Sequence, residues 1–202
     1  SDVYKRQILN MLEECRKAGH EDRALMFCSL SKVTFPGAGV AAMAASRRNI
    51  DYILKNMFPM IISFDKLNQV RHIRFLKDMD GLAAHMEKHR ALLEPKFRAV
   101  LAILDEGLSG CGSIARWTKP NGGYFLSLYT LGGCAKRTVQ LCREAGVVLT
   151  DAGAAYPYGV DPQDSNIRIA PTFPPLDELE TASRLLCVCV RIATLEKLLQ
   201  RQ

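Results

Sequence analysis

The sequence predicts an α/β protein in which helices alternate with short strands. Apolar residues recur at helical spacing over several long segments, and short apolar runs of strand length lie between them. Clusters of glycine, proline, asparagine and aspartate separate the two kinds of segment. The 202 residues are 48% apolar and 24% charged, which is long enough for a sizeable core and ordinary for a globular protein. A disordered chain and a collagen-like chain are therefore excluded.

The first part of the chain is predicted as helix, turn and strand. Residues 1–7 resemble translated adapter sequence, so we interpret them as a non-native scar and leave them out of the fold prediction. Apolar positions in residues 8–18 keep helical spacing, and Gly19 ends that pattern. Residues 24–30 form an apolar run of strand length, and the turn-rich residues 31–39 follow it.

Helical patterns dominate the middle of the chain. Residues 49–57 are predicted as a helix, and Asp65 is suited to cap a second, much longer one. Pro95 lies inside that long pattern and is expected to kink or divide it. We predict a domain boundary in this stretch, with residues 8–75 in the first domain and residues 76–202 in the second.

Strand-like patterns occur again after the glycine-containing residues 107–112. Residues 114–118 and 123–129 have strand-like patterns, and the turn Lys119-Pro120-Asn121-Gly122 joins them, which predicts a hairpin. The remaining elements are predicted as a helix at 135–145, strands at 147–150 and 167–170, and an amphipathic helix that starts near Leu176.

Composition disfavours several classes of protein and site. No apolar stretch approaches the ~20 residues that span a bilayer, and no export signal is recognisable, so a cytoplasmic location is expected. The formal charge of +6 is spread along the chain, which argues against nucleic-acid binding. The seven cysteines lack CxxC spacing and are interpreted as reduced thiols, mostly in the core. His85 and His89 lie four residues apart without an obvious third ligand, so a polar helix face is preferred to a zinc site.

The most informative motif is Ser29-Leu30-Ser31-Lys32, at the end of a predicted strand and before a glycine-containing loop. Serine hydroxyls and loop N–H groups bind phosphate well, and a lysine amine can act as a nucleophile. This combination suits a cofactor that carries both a phosphate and an aldehyde. On spacing alone, turn residues beside a solvated cation would be the commoner explanation.

A second candidate is Arg168, which interrupts the apolar run at 167–170. An arginine in such a run needs a partner, and a carboxylate bound through two hydrogen bonds is its best match. An edge-strand arginine that faces solvent, or one in a structural salt bridge, is the alternative.

The order of these motifs resembles that of fold-type I, pyridoxal-phosphate-dependent aminotransferases of the class I/II group. Ser29-Leu30-Ser31-Lys32 is similar to that family's S-x-S-K segment, and the similarity extends over residues 8–199. Residues 31–40 and 71–78 most resemble a bacterial subgroup that includes aspartate aminotransferases. Further matching segments are residues 120–125 with the family's P-x-G-G-x-F turn, 152–156 with its P-G-x-x-F loop, and 167–169 with the strand that bears its substrate arginine.

The resemblance implies a role for each candidate residue. Lys32 would form a Schiff base with the aldehyde of pyridoxal 5'-phosphate and, once released, would move the substrate's α-proton. Ser29 and Ser31 would bind the cofactor phosphate, and Arg168 would bind the substrate's α-carboxylate. The loop that contains Tyr156 would line the mouth of the substrate cleft, and a packing role for Tyr156 is equally open.

The sequence departs from the family pattern at two positions. Val40 stands where the family usually has an arginine that pairs with the cofactor phosphate. Either Arg47 or Arg48 replaces that charge, or the affinity for phosphate is reduced. Ala152 stands in place of the proline in the P-G-x-x-F loop.

The resemblance also implies that the chain is the C-terminal part of the fold, with the end of the large cofactor domain followed by the small α/β domain. The family's acidic partner of the pyridine nitrogen and its ring-stacking aromatic lie upstream of the lysine, and too few residues precede Lys32 to hold them. We therefore expect these 202 residues alone to show little or no transaminase activity. The full-length protein is expected to be a homodimer.

The function implied is transfer of an amino group between an amino acid, with aspartate as a candidate, and a 2-oxo acid. No nucleic-acid or membrane partner is expected. Two alternatives use the same fold: an effector-binding domain of a transcription regulator, which needs an upstream helix-turn-helix, or another pyridoxal-phosphate reaction such as elimination, decarboxylation or racemisation. A domain without retained activity is a further possibility.

Overall fold

The computed structural model describes residues 9–112 and 114–200 and confirms a mixed α/β architecture. The chain divides into two compact units, Ser1–His89 and Arg90–Gln202. This division falls inside a long helix, and the domain boundary expected between residues 75 and 76 stays a prediction. The scar predicted at residues 1–7 lies outside the described residues.

The first unit combines helices with a two-stranded antiparallel sheet, which pairs Leu25 with Ala45 at one end and Ser29 with Ala41 at the other. The predicted strand at 24–30 and the predicted helices at 8–18 and 49–57 are confirmed within a few residues. The elements are α1 (Met11–Lys17), a 3-10 turn (Glu21–Arg23), β1 (Leu25–Ser29), β2 (Ala41–Ala45), α2 (Arg47–Met57), α3 (Lys66–Leu76) and the first turns of α4 (Met79–Leu108).

The strand β2 is absent from the sequence-based prediction. Four of its five residues are alanine, and alanine is depleted in strands. Pairing with β1 supplies the backbone hydrogen bonds that hold this segment extended. The strand therefore depends on a partner across a loop and not on local preference.

Side-chain caps begin three helices of the first unit. Asn10, Ser46 and Asp65 precede α1, α2 and α3, and the side chain of each accepts a hydrogen bond from an N–H of the first helical turn. These N–H groups have no partner within their own helix, so the caps stabilise the helix ends. The cap predicted at Asp65 is confirmed.

The prediction of one long helix from Asp65 onward is wrong. α3 ends at Leu76, and Lys77 has a positive φ of 66°. Asp78 then begins α4, where its side chain accepts a hydrogen bond from Gly81 N–H at 2.8 Å. Pro95 does not divide α4, although it lacks the N–H for one helical hydrogen bond. The capping side chain of Asp78 favours a restart at that point, which periodicity alone does not reveal.

The second unit contains the rest of α4 and a three-stranded antiparallel sheet in the order β3-β4-β5, formed by Ala115–Trp117, Leu126–Thr130 and Asn166–Ile169. The predicted hairpin is confirmed, with Ala115 opposite Thr130. α5 (Ala135–Glu144) and α6 (Leu176–Leu199) confirm the two later helices, and a 3-10 turn spans Pro157–Gly159. None of the helices in the described ranges is long and apolar enough to cross a membrane.

The prediction of a strand at residues 147–150 is wrong. Gly146 has a φ of 92°, and its N–H donates to Arg143 O at 3.0 Å. The N–H of Val147 donates to Cys142 O at 2.8 Å. This pair of hydrogen bonds is the Schellman arrangement that ends a helix. Val147 therefore closes α5, and its apolar side chain packs against the core without joining the sheet.

A continuous apolar core occupies the second unit. Leu126 and Leu128 of β4 and Ile167 and Ile169 of β5 turn their side chains into it. Each fully buried aliphatic side chain contributes roughly 1.5–3 kcal/mol to folding. The helices supply most of the remaining buried side chains, which are Val100, Ile103, Leu104, Leu108, Ala135, Val139, Cys142, Leu179, Leu186, Cys187, Cys189 and Val190.

The first unit has no comparable core among its described residues. Only Ala24, Asn68 and His72 are buried there. β1 is exposed along its whole length, and the side chain of Phe27 is 69% exposed. Two of the three buried residues are polar, so specific hydrogen bonds carry much of the organisation of this unit.

The seven cysteines are free thiols, and four of them are buried in the second unit. Burial raises the pKa of Cys142 to about 12, with a smaller contribution from the neighbouring Cys189 thiol. Burial also raises the pKa of Cys187 to about 11. These thiols therefore stay protonated and unreactive at neutral pH, as core residues do.

Asp161 organises the loop that leads into β5. Its carboxylate accepts hydrogen bonds from the N–H groups of Gln163 at 3.0 Å and of Ser165 and Asn166 at 2.8 Å, and from Ser165 Oγ at 3.3 Å. Burial by itself would raise the pKa of Asp161, but these hydrogen bonds lower it below its ordinary value. The ionised carboxylate therefore stabilises the start of β5.

We expect Asp161→Asn to lower the free energy of unfolding of the second unit by about 1–3 kcal/mol at neutral pH, because an amide cannot accept the same set of hydrogen bonds. Since the folded-state pKa is lowered, the carboxylate stabilises the fold above its unfolded-state pKa of about 3.9. That contribution is lost as the pH falls through the folded-state value. Urea unfolding followed by the fluorescence of Trp117, the single tryptophan, measures both effects.

Asp151→Asn is the matched control. The Asp151 side chain is 82% exposed and pairs with Arg143 at the surface, so its substitution should change the free energy of unfolding by less than about 0.5 kcal/mol. Equal effects of the two substitutions, or a deficit for Asp161→Asn that persists unchanged into acid, would contradict the role given to Asp161.

Candidate functional site

The loop between β1 and β2 carries the predicted lysine. Leu30 N–H donates to Val40 O at 2.8 Å, which closes the base of the loop directly after β1. Leu30 O accepts from Val33 N–H and from Thr34 N–H, both at 2.9 Å. Lys32 therefore lies on a compact turn. The N–H of Leu30 closes the base of the loop, and the C=O of Leu30 accepts the two hydrogen bonds that form the turn.

Ser29 and Ser31 lie together beside Lys32, at the exposed end of β1. Ser29 Oγ donates to Ser31 Oγ at 2.9 Å, and Ser31 N–H donates to Ser29 Oγ at 3.2 Å. The structure thus brings two hydroxyls together on the residues that precede Lys32. Hydroxyls in this arrangement can bind phosphate oxygens, and the amine can attack an aldehyde carbon.

Gly39 lies against the serine side of the loop. A Cβ at Gly39 would stand 2.9 Å from Ser31 Cα, which is closer than Cβ atoms approach a backbone carbon. The two sides of the loop can meet at this distance only because residue 39 has no side chain.

The charges proposed to replace the missing arginine at Val40 already have partners. Arg47 Nε donates to both carboxylate oxygens of Asp51 at 3.0 Å, and Arg48 pairs with Asp22 at 3.3 Å. Both arginine side chains are largely exposed. Neither arginine is thereby identified as the replacement, so both alternatives given by the sequence stay predictions.

Asn68, His72 and His85 also touch the lysine loop, and the sequence did not predict these contacts. Asn68 Nδ2 donates to Ala38 O at 2.6 Å, and His72 Nε2 lies 2.7 Å from Thr34 Oγ1. The sequence shows only an asparagine and a histidine four positions apart, which does not by itself indicate a contact with the loop. His85, considered earlier only as part of a histidine pair, has its Nε2 2.7 Å from Val33 O. In the described part of the chain, no group of three or more metal-ligating side chains occurs.

Arg168 lies on β5 in the second unit, opposite Ser127 of β4. Its guanidinium carbon is 4.8 Å from the centre of the Phe125 ring, a cation–π contact. Its Nε is buried and has no hydrogen-bond partner among the described residues. A buried donor without a partner is costly in a folded protein, and a bound carboxylate would satisfy it.

The loop that resembles the family's P-G-x-x-F segment adjoins the start of β5. Gly153 N–H donates to Asn166 O at 3.2 Å, and Tyr156 N–H donates to Gly153 O at 2.8 Å. Gly153 has a φ of 83°, and a Cβ there would stand 2.6 Å from Gly159 O. The half-buried Tyr156 is thereby held in the same unit as Arg168. Lys32, Ser29 and Ser31 belong to the first unit.

These features agree with the class of pyridoxal-phosphate-dependent transferases. The chain belongs to the aspartate aminotransferase family, because the family model described as "Aspartate amino-transferase" matches residues 3–202.

Individual relatives agree with this assignment. A candidate aminotransferase of Mycolicibacterium smegmatis is 50% identical over 182 residues, which are 90% of this chain and 42% of that protein. The crystal structure of an aspartate transaminase from Corynebacterium glutamicum has a TM-score of 0.91 and 40% identity, covering 95% of this chain and 45% of that one. An α-aminoadipate aminotransferase from Thermus thermophilus, complexed with N-(5'-phosphopyridoxyl)-L-leucine, shares the fold, with a TM-score of 0.75 at 21% identity over 94% of this chain and 47% of that one.

The chain spans less than half the length of each of these relatives. The predicted family and the predicted transferase fold are confirmed, and the structure is a mixed α/β part of that fold. The roles of Lys32, Ser29, Ser31 and Arg168 stay predictions.

We expect Gly39→Ala to lower the free energy of unfolding by about 1–3 kcal/mol, because the added methyl group overlaps the backbone of Ser31. Gly110→Ala is the matched control, since a Cβ at Gly110 meets nothing within 4 Å. Urea unfolding followed by far-ultraviolet circular dichroism measures both variants. A Gly39→Ala protein as stable as the Gly110→Ala protein would show that the loop does not need the close approach.

Proposed function

We propose that this chain supplies the cofactor-binding lysine and the carboxylate-binding arginine of an aminotransferase. The enzyme would transfer an amino group between an amino acid and a 2-oxo acid with pyridoxal 5'-phosphate. The observation that carries the proposal is the hydrogen-bonded turn on which the exposed Lys32 directly follows the mutually bonded Ser29 and Ser31.

The residues present fit this cofactor. Two adjacent hydroxyls can donate to a phosphate, and a primary amine in the same turn can hold an aldehyde covalently. When bound, pyridoxal phosphate supplies an electron sink for the pair of electrons left at the substrate's α-carbon. Support also comes from the family assignment and from the phosphopyridoxyl adduct carried by the Thermus thermophilus relative.

Lys32 would have two roles in succession. Its Nζ would hold the cofactor until the substrate amine takes its place. The released amine would then accept the substrate's α-proton and donate it to the carbon that was the cofactor's aldehyde carbon, as general base and then general acid. The turn closed by Leu30 keeps this amine within reach for both steps, which is the advantage of a positioned group over a diffusing one.

Arg168 would orient the substrate. A guanidinium binds a carboxylate through two parallel hydrogen bonds, and the buried, unpartnered Nε of Arg168 is available for one of them. The Phe125 ring below the guanidinium restricts its movement. The position of β5 in the packed sheet gives this contact a rigid support.

Aspartate is the amino donor we propose first, because the Corynebacterium glutamicum relative is named an aspartate transaminase. We further propose that residues 8–75 belong to the cofactor domain and 76–202 to the small domain. A cytoplasmic location, a homodimeric complete protein and the lack of nucleic-acid and membrane partners stay predictions.

We expect Lys32 to be the lysine that captures the cofactor. The purified chain and the complete gene product are each incubated with pyridoxal phosphate and reduced with borohydride, which makes a lysine–cofactor bond permanent. Peptide mapping should then find the label predominantly on Lys32. Lys32→Ala should remove that label, because Lys32 is the lysine on the turn of the paired serines.

Lys55→Ala is the control, since Lys55 is exposed on α2, away from the turn, and its loss should leave the labelling of Lys32 unchanged. Label spread evenly over the lysines of the complete gene product would refute the proposed function. Label on Lys32 in the complete product but not in the 202-residue chain would mean that capture needs residues outside this chain.

We expect Arg168→Gln to raise the KM for the amino acid about 10- to 100-fold in the complete gene product, because a charged pair of hydrogen bonds is lost. Arg116→Gln is the matched control, since Arg116 also stacks on an aromatic ring, that of Tyr129, at 3.9 Å. Steady-state kinetics with aspartate and a 2-oxo acid measure both. A KM unchanged by Arg168→Gln would exclude Arg168 as the carboxylate anchor.

A further inference from the structure

We propose that Asn68, His72 and His85 are positioning residues that hold the Lys32 loop in the conformation in which the lysine captures the cofactor. This inference rests on the proposed function of Lys32. None of the three side chains is expected to touch cofactor or substrate. Each would act through the loop between β1 and β2.

Two of the three contacts come from α3. Asn68 Nδ2 donates to Ala38 O at 2.6 Å, near the C-terminal end of the loop. His72 Nε2 lies 2.7 Å from Thr34 Oγ1, at the N-terminal end, where the turn that carries Lys32 is completed. Because Asn68 and His72 are one helical turn apart, a single face of α3 holds both ends of the loop.

The ring of His72 is itself oriented by α3. Its Nδ1 lies 2.9 Å from Asn68 O, and a carbonyl oxygen only accepts, so Nδ1 carries the proton and donates. In the neutral ring, Nε2 is then the acceptor, and it faces the hydroxyl of Thr34. That hydroxyl also lies 3.1 Å from Leu30 O, the carbonyl that receives the turn's two N–H groups. Because the hydroxyl has one proton, it donates to His72 Nε2 and not to Leu30 O. His72 therefore holds the turn through Thr34, whose N–H donates to Leu30 O.

The third contact comes from the start of α4. His85 Nε2 donates to Val33 O at 2.7 Å, which binds the residue next to Lys32. Behind the loop, Phe35 meets the ring of His72 edge-on, with centroids 5.3 Å apart, and also contacts Phe75. Phe75 in turn contacts the ring of His85 at 5.0 Å. The polar contacts are thus backed by a small aromatic cluster.

Burial makes these contacts decisive for the loop. Asn68 and His72 are two of the three buried residues in the described part of the first unit, and Ala24 is the other. The loop residues from Ser31 to Val40 bury no side chain of their own. Hydrogen bonds to buried side chains therefore fix the loop together with the aromatic packing of Phe35, and removing one leaves a buried polar atom unpaired.

The test uses Thr34→Val, which keeps the shape of the side chain and removes the hydroxyl that links His72 to the turn. Thr34→Ser, which restores a hydroxyl, is the rescue variant. Thr181→Val is the control, because the Thr181 hydroxyl bonds a helix carbonyl at an exposed site in the other unit. His72→Phe keeps an aromatic ring and removes both hydrogen bonds, and it is included only if its circular dichroism spectrum is unchanged.

Two readouts are taken on the complete gene product. Hydrogen exchange of the Val33 and Thr34 amides should be about fivefold faster in Thr34→Val, the factor that corresponds to the loss of one hydrogen bond. The share of borohydride-trapped cofactor on Lys32 should fall by a similar factor, while the unfolding midpoint changes little. Thr34→Ser should restore both values, and Thr181→Val should leave both unchanged.

The outcomes separate this inference from the proposed function. No labelling of Lys32 in the unsubstituted protein would refute the proposed function, and with it the role of the three residues. Normal labelling in the unsubstituted protein that is the same in Thr34→Val would overturn the inference alone. Faster amide exchange without any change in the labelling of Lys32 would also overturn it, because the contacts would then be structural only.

Discussion

The lysine loop depends on the hydrogen bonds of the backbone N–H and C=O of Leu30. Its N–H donates to Val40 O across the base of the loop, and its carbonyl accepts the two N–H groups that form the turn around Lys32. A strand that ends in such a hydrogen-bonded turn can present an amine without burying it. Ser31 and Lys32 are exposed, so directed hydrogen bonds of the backbone hold this part of the turn.

The two units hold their candidate charged residues, Arg168 and Lys32, in different ways. Arg168 stands on a strand whose neighbours Ile167 and Ile169 are in a complete apolar core, so its backbone is held by packing and by the sheet. Lys32 stands on a loop held by buried polar side chains of α3 and by His85. Rigid support suits a residue that binds one group. A loop would suit the proposed role of Lys32, whose amine would change partners during the reaction.

Most elements could be predicted because their signals are local. The hairpin at β3 and β4, the cap at Asp65 and the motif around Lys32 were all recognisable from a few consecutive residues. The failures involved competition between local and non-local effects. β2 is alanine-rich and forms a strand only because it pairs with β1. The apolar pattern at Val147 is typical of a strand, but the N–H of Val147 donates to Cys142 O at the end of α5. The contacts of Asn68 and His72 could not be predicted from the sequence, because their partners lie in a loop some 30 to 40 positions earlier.

By itself the sequence determined the family, the identity of the candidate lysine and arginine, and the alternation of helices and strands. These follow from residue type and spacing along the chain, which folding does not alter. Only the tertiary structure decided that Gly39 must lack a side chain, that the Nε of Arg168 is buried without a partner among residues 9–112 and 114–200, and that α3 contacts the loop of Lys32. Those facts concern distances between residues remote in sequence, and such distances exist only after the chain has packed.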